Sequence, residues 1–358
     1  MSRLDELIAE LCPNGVEYIP LGEVLKNNNA PNSISKKYYK ENGDIPIIDQ
    51  SQVYIAGYTD DESAVPPILP CIIFGDHTRV VKYADRKFAQ GDSGTKVFIP
   101  VTEDLNTKYI YYAFCNIDIP SRGYNRHWTI AKNIKIPIPP LPVQQEIVRI
   151  LDNFTELIAE LTAELTARKK QYEYYRDLLL TFGDEVEWCN LEEILKIRNG
   201  KDYKSFNVGN IPVYGSGGIM TYIDTYVYDK PSVLIPRKGS IDKLYYVEKP
   251  FWTVDTIFYT EIYTSKVIPK YVFYCLQKER LEQYNTAGGV PSLTQTVLNK
   301  VKIPVPPLEE QERIVAILDR FDALCNDLTS GIPAEIEARQ KQYEYYRDKL
   351  LSFKEVTG

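Results

Sequence analysis

The sequence has only two histidines, His77 and His127, and its six cysteines (12, 71, 115, 189, 275 and 325) are scattered with no CxxC pair. Without an HExxH motif or a Cys/His cluster, a structural or catalytic zinc site has little support. Isolated cysteines in a chain of this size read as buried or free thiols of a reducing cytoplasm. There is no run of eighteen apolar residues, and the N-terminal MSRLDELIAELCP is amphipathic and acidic. Those two features exclude a membrane span and argue against a signal peptide. A GxxxxGK[ST] phosphate loop, an NPPY-like methyltransferase motif and an acidic-plus-lysine nuclease cluster are also missing. YGSGG (214–218) lacks the spacing and helix context of a dinucleotide fingerprint. It reads as a turn where backbone approaches a partner, with Tyr214 and Ser216 as candidate contacts.

What is present is repetition. KQYEYYRD occurs at 170–177 and again, letter for letter, at 341–348. Outward from it, IPIPPLPVQQEIVRILDNF (136–154) aligns with IPVPPLEEQERIVAILDRF (303–321), and VEYIPLGEVLK (16–26) with VEWCNLEEILK (186–196). The 358-residue chain is therefore a tandem duplication in which variable regions alternate with long segments that match between the copies. Two units are too few for a solenoid.

The matching segments have helical periodicity. Ile147, Leu151, Phe154, Ile158, Leu161, Leu165, Tyr172, Tyr175, Leu179 and Phe182 follow steps of four and three, interrupted only at Arg168. A heptad sustained over about five repeats favours a coiled coil. The second copy repeats the seam from Ile314 to Phe353 with four extra residues, a stutter at SGIP (330–333), where Pro333 should break or kink the helix. The two helices are expected to pack antiparallel. The seam leaves Tyr174 and its counterpart Tyr345 partly spare, and tyrosine is favoured where a surface meets a partner. Tyr172, Tyr174, Tyr175 and Arg176 of the first copy, with Tyr343, Tyr345, Tyr346 and Arg347 of the second, are therefore candidate partner-binding residues.

The net charge of −7 is unevenly spread: residues 18–135 carry +1, residues 188–302 carry +4, and the remainder, mainly helix, carries −12. Neutral-to-basic variable regions remove the objection to DNA binding, because local basic faces supply phosphate attraction. These regions read as β-rich modules of short β-branched and aromatic runs such as SVLIP, each ending in a helix such as TKYIYYAFC. The loops after that helix differ sharply: SRGYNRHWTIAKN in one copy, NTAGGVPSLTQTVLNK in the other. Arg, Asn and Gln are side chains that make bidentate contacts to base edges. Asp76 and His77 in FGDHTR could be imagined as a general-base pair, but the counterpart reads IPRKGS. A polar DNA-facing loop is the better reading, and the chain reads as a non-catalytic recognition subunit.

This layout resembles the specificity (S) subunit of type I restriction–modification systems over essentially the whole chain. The residues that carry the resemblance are the IPxPPLxxQxxIVxxLD starts, the KQYEYYRDxLLxF ends and the two variable regions between them. The resemblance implies a mixed α+β chain with two pseudo-twofold-related target-recognition domains, separated by two long antiparallel coiled-coil helices. The expected boundaries are recognition domain 1 at 1–139 with a short N-terminal helix at 2–11, a central helix at 140–183, recognition domain 2 at 184–306 and a C-terminal helix at 307–354. It implies double-stranded DNA, two methyltransferase (M) subunits and restriction (R) subunits as partners. S-adenosylmethionine, ATP and Mg are used by those partners, with no cofactor in this chain and no membrane. Asp76, His77, Thr78 and Arg79, with Arg122, Tyr124, Asn125, Arg126 and His127, would face DNA in the first domain. Arg237, Lys238, Ser240, Ser292, Thr294 and Gln295 would do so in the second. IAELTAELTAR (158–168) is similar to the family's short tetrapeptide repeat, whose copy number is associated with spacing between half-sites. The competing expectation is a coiled-coil scaffold whose variable domains bind something other than DNA; a steep fall of affinity with salt separates the two.

Overall fold

A computed structural model describes residues 2–121, 123, 125–285, 288 and 291–356. The chain forms two compact units, Met1–Glu160 with Ile336–Gly358, and Leu161–Glu335. Each unit thus combines one variable region with helix from both matching segments.

In the first unit the helix Arg3–Leu11 starts from a Ser2/Asp5 capping box. Strand Glu17–Pro20 pairs antiparallel with Lys135–Ile138. A four-stranded antiparallel sheet runs in the order Leu25–Asn27, Thr95–Pro100, Cys71–Gly75, Val81–Ala84. Its strand Cys71–Gly75 (CIIFG) is buried along its whole length, which suits a continuous apolar run covered on both faces. A smaller sheet joins Gly57–Thr59, Ile45–Ile48 and Ala89–Gln90, the last pair parallel. The second unit repeats this plan strand for strand. Trp188–Asn190 pairs with Lys302–Pro304. The larger sheet runs Leu195–Asn199, Ile257–Ile262, Ser232–Pro236, Tyr245–Val247, and the smaller runs Gly218–Ile223, Val208–Gly215, Trp252–Thr253.

The repeat extends to individual hydrogen bonds. Buried Gln144 accepts from the Asn106 amide and donates to the Pro139 and Asp104 carbonyls. Gln311 does the same with Ile268, Pro306 and Lys266. The hydroxyls of Tyr109 and Tyr271 donate to the carbonyls of Pro137 and Pro304. Asp152 accepts from Tyr112 and pairs with Lys108; Asp319 accepts from Tyr274 and pairs with Lys270. Burial first, then in each case the aspartate bond, pushes both Tyr112 and Tyr274 well above the usual phenol range.

The first matching segment is one helix, Leu141–Leu179. The second is two, Leu308–Asn326 and Ile332–Leu350, with the break placed where Pro333 predicts it. At the break, Asp327 accepts from the Thr329 amide and hydroxyl and from the Ser330 hydroxyl. These bonds hold its carboxyl down at about 2. Within the first unit Phe154 stacks on Tyr346 at 5.4 Å, and Thr155 lines a cavity with Tyr343. Within the second unit Tyr175 stacks on Phe321 at 5.6 Å, and Tyr172 shares a core with Cys325. In both units one number rises as the other falls, so the paired helices run antiparallel. Each copy of the octapeptide therefore packs against the start of the other matching segment.

Candidate nucleic-acid and partner interfaces

In the first unit FGDHTR forms the hairpin turn between Cys71–Gly75 and Val81–Ala84, and the NRHW segment folds onto it. The His127 amide donates to the Asp76 carbonyl at 2.8 Å, and the Trp128 amide donates to Asp76 Oδ1 at 2.8 Å. Lys96 completes the site 3.6 Å from Asp76 Oδ2. In the second unit IPRKGS occupies the same turn, and the segment at 291–293 folds onto it. The Leu293 amide donates to the Arg237 carbonyl, the Gly239 amide donates to the Pro291 carbonyl, and Lys238 bridges Ser292. The two loop pairs assigned separately from the sequence are thus joined in space, at equivalent positions of the two units.

Within those loops the structure sorts the candidates. Asp76, only 3% exposed, and buried His127 fasten one loop to the other and do not present their side chains to a partner. Arg79 has a positive φ of 64°, and its Nη1 donates to the Ile119 carbonyl at 2.9 Å, so it straps the turn to the stretch that follows the helix Thr107–Cys115. Thr78 is exposed but donates to the Gln50 carbonyl, and His77 is half-buried with its amide on Gln50 Oε1. Asn125 and Arg126 are exposed. Arg122 and Tyr124 lie outside the described residues.

In the second unit the Arg237 guanidinium lies over Phe258 at 5.1 Å, whereas Lys238 is exposed. Tyr214 is half-buried, edge-on to Phe251. Ser216, Ser240, Ser292 and Gln295 are half-buried, and Thr294 caps the helix Gln295–Leu298. The exposed candidates at the two turns are therefore Thr78, Arg79, Asn125 and Arg126 in one unit, with Thr78 and Arg79 held by their bonds to Gln50 and Ile119, and Lys238 and Thr294 in the other.

One residue that positions the first site has no direct signature in the sequence. Gln50 accepts from the His77 amide and donates to Asp92. A methyl group at Gly94 would fall 2.5 Å from Gln50 Nε2 and push that amide end aside. The GDSG at 91–94 was the available hint.

The octapeptide faces are also sorted. Tyr172 is buried, its hydroxyl donating to Gln277 Oε1, because it occupies a core position of the seam. It is a packing residue and not a contact for a partner; Tyr343 is half-buried in the same role. Tyr174 and Tyr345 are 64% and 62% exposed. Each stands edge-on to its neighbour, Tyr175 or Tyr346, at 5.4 and 5.3 Å. Arg176 and Arg347 lie 5.8 Å from the Tyr172 and Tyr343 rings and bond Asp177 and Asp348. Two identical aromatic faces are thus presented, one on each copy. Among the described residues no helix is long and apolar enough to cross a membrane, and no group of His, Cys, Asp and Glu could hold a metal ion.

Residues 13–168 and 183–338 match the family model described as type I restriction modification DNA specificity domain. The Escherichia coli type I restriction enzyme EcoR124I/EcoR124II specificity subunit is 36% identical, over 99% of this chain and 97% of that one. The EcoprrI specificity subunit, also from Escherichia coli, is 30% identical over 92% and 93%. The fold matches the crystal structure of an S subunit from M. genitalium with a TM-score of 0.64 at 17% identity, over 94% of this chain and 96% of that one. A chain solved in a study of complex assembly and conformational transition of the type I R-M system matches with a TM-score of 0.58 at 17% identity, over 95% and 98%.

Proposed function

This chain belongs to the family of type I restriction–modification specificity subunits, which recognise target DNA and are not themselves catalytic, and from that premise we propose that its two units each read one half of a bipartite target. The first unit reads through the FGDHTR and NRHW loops, the second through IPRKGS and the 291–295 segment. The octapeptide faces hold two M subunits, R subunits join the complete complex, and the helices set the unread spacer. S-adenosylmethionine, ATP and Mg serve the partners' chemistry, and the chain works in the cytoplasm.

The observation that carries this reading is the contrast between frame and loops. The frame repeats down to single hydrogen bonds, while the loops on its equivalent turns differ in every exposed residue. A duplicated frame with identical aromatic faces suits two identical protein partners. Diverged loops suit two different base sequences, because phosphate contacts position a protein and base contacts specify the sequence. The test is the methylome of cells carrying the whole system with Arg126→Ala or Lys238→Ala. Each substitution is expected to relax or weaken one half-site only. Equal loss at both half-sites overturns the assignment of one half-site to each unit.

A further inference from the structure

The second unit closes one of its strand pairs far more tightly than the first. Strands Val208–Gly215 and Gly218–Ile223 close through the two-residue turn Ser216–Gly217, with Gly218 at φ 115°. In the first unit the equivalent strands are joined by the longer connection 49–56, which is tied back by Tyr54 to the Tyr83 carbonyl and by Lys82 to the Val53 carbonyl. The register of the ribbon shifts near its tip: Val213 faces Thr221, but Tyr214 faces Ile219. Met220 is the extra residue, a β-bulge, and bulges re-aim a side chain. It is one of two methionines in the chain, the other being Met1, and it is 57% exposed.

The surroundings of this side chain select its partner. Met220, Ser216 and Lys204 line one cavity of about 790 Å³, together with Asp202 and Asp255. Asp202 is engaged by the amides of Tyr203 and Lys204. On the other side of the tip, the Cα of Gly239 faces Ser216, which places the exposed Lys238 loop beside it. An exposed apolar side chain with Lys204 in its cavity and Lys238 on the neighbouring loop fits a polyanion that also carries an apolar feature. Val213 and Tyr214 pair with Trp252–Thr253 on the other edge, so only the tip beyond them is two strands wide, about 4.8 Å between strands, and it is this tip that fits the major groove, about 12 Å wide. There the one apolar base feature is the thymine C5-methyl group, and the flexible thioether of methionine adapts to such a group.

We propose that the bulged Met220 is a specificity-determining residue of the second unit, contacting a thymine methyl group in the major groove. The inference rests on the reading of this unit as a half-site reader. Once the target has been mapped by methylome sequencing, binding of the complete S–M complex is measured on duplexes with each thymine of the second half-site replaced by uracil. One such replacement is expected to weaken binding about fourfold, the value of one buried methyl group. Met220→Ala should weaken binding to the thymine duplex and remove the difference between thymine and uracil at that position alone. Equal binding of wild-type protein to thymine and uracil duplexes, a half-site with no A·T pair, or a thymine preference that persists in Met220→Ala overturns the proposal. The uracil comparison uses unaltered protein, so a folding defect cannot imitate it. A parallel Lys238→Ala complex separates the two levels. If Lys238→Ala alters the second half-site and Met220→Ala does not, the ribbon inference fails alone; if neither alters it, the half-site assignment has failed.

Discussion

Asp76 illustrates how a residue can govern recognition without reaching a base. Its carboxylate accepts from the Trp128 amide and pairs with Lys96, and it is buried. Asp76→Ala removes a hydrogen bond to a charged acceptor and leaves the amide unpaired, which should destabilise the first unit by about 2–3 kcal/mol. Loss of protection of the Trp128 amide in hydrogen exchange, with reading lost at one half-site, is the expected outcome. Gln144 and Gln311 carry the complementary role in the frame. Gln144→Ala strands the Asn106 amide and two carbonyls, at about 2–3 kcal/mol, and Gln311→Ala should cost a similar amount in the other unit. Urea unfolding followed separately in the two units checks both. Tyr174 and Tyr345 are the contrasting case, since they stand clear of the seam. Replacing both by Ala should weaken assembly with M subunits, read by co-purification, while the melting temperature stays put.

At the scale of the element, the break Asp327–Gly331 depends on a titrating cap. The Asp327 carboxyl lies at about 2 instead of its ordinary 3.8, held there by Ser330 and Thr329. A depressed carboxyl stabilises above its unfolded value and loses that contribution as pH falls through the folded one. The ends of the two helices are therefore expected to loosen between pH 3.8 and about 2 and to be unaffected above pH 5. The amide shifts of Thr329 and Ser330 followed through an acid titration check this. Much of this level was legible in the sequence. Heptad spacing gave the long helix, Pro333 marked the break, and the helix after the first sheets was placed by TKYIYYAFC. Periodicity identifies which face of a helix is apolar but not what covers it. That is why Tyr172 could be put on the seam and still be assigned to a partner. The antiparallel packing expected of the two helices, by contrast, did place each octapeptide on the start of the other segment. Loop geometry was the least legible: Arg79 looked like a base contact by residue type, but its positive φ and its bond to Ile119 depend on contacts distant in sequence.

For the whole molecule, the chain's own end closes the first unit. The Val16 amide donates to the Lys354 carbonyl, the Val356 amide to the Val16 carbonyl, and the Tyr18 hydroxyl to the Phe353 carbonyl. Truncation after Ser352 removes these three bonds, the bond from the Phe353 amide to the Tyr18 hydroxyl and the exposed Lys135–Glu355 ion pair, each hydrogen bond being worth about 1 kcal/mol. It should therefore lower the stability of the first unit and leave the second unchanged. The helix Leu141–Leu179 raises a different question, because it is continuous from the first unit into the second. Inserting a second TAEL after Leu165 lengthens it by about 6 Å and rotates it by about 40°. The inserted residues favour helix and add little propensity cost. With about 3.4 Å of rise per base pair in DNA, the added length corresponds to at most two base pairs. The rotation and the second matching segment, which gains no residues, must absorb part of it, so one extra base pair is expected. Both half-site sequences should stay as they are while the unread spacer lengthens. Methylated sites mapped genome-wide for the two proteins decide the matter: an unchanged spacer, or altered bases within a half-site, would mean that this helix does not set the distance.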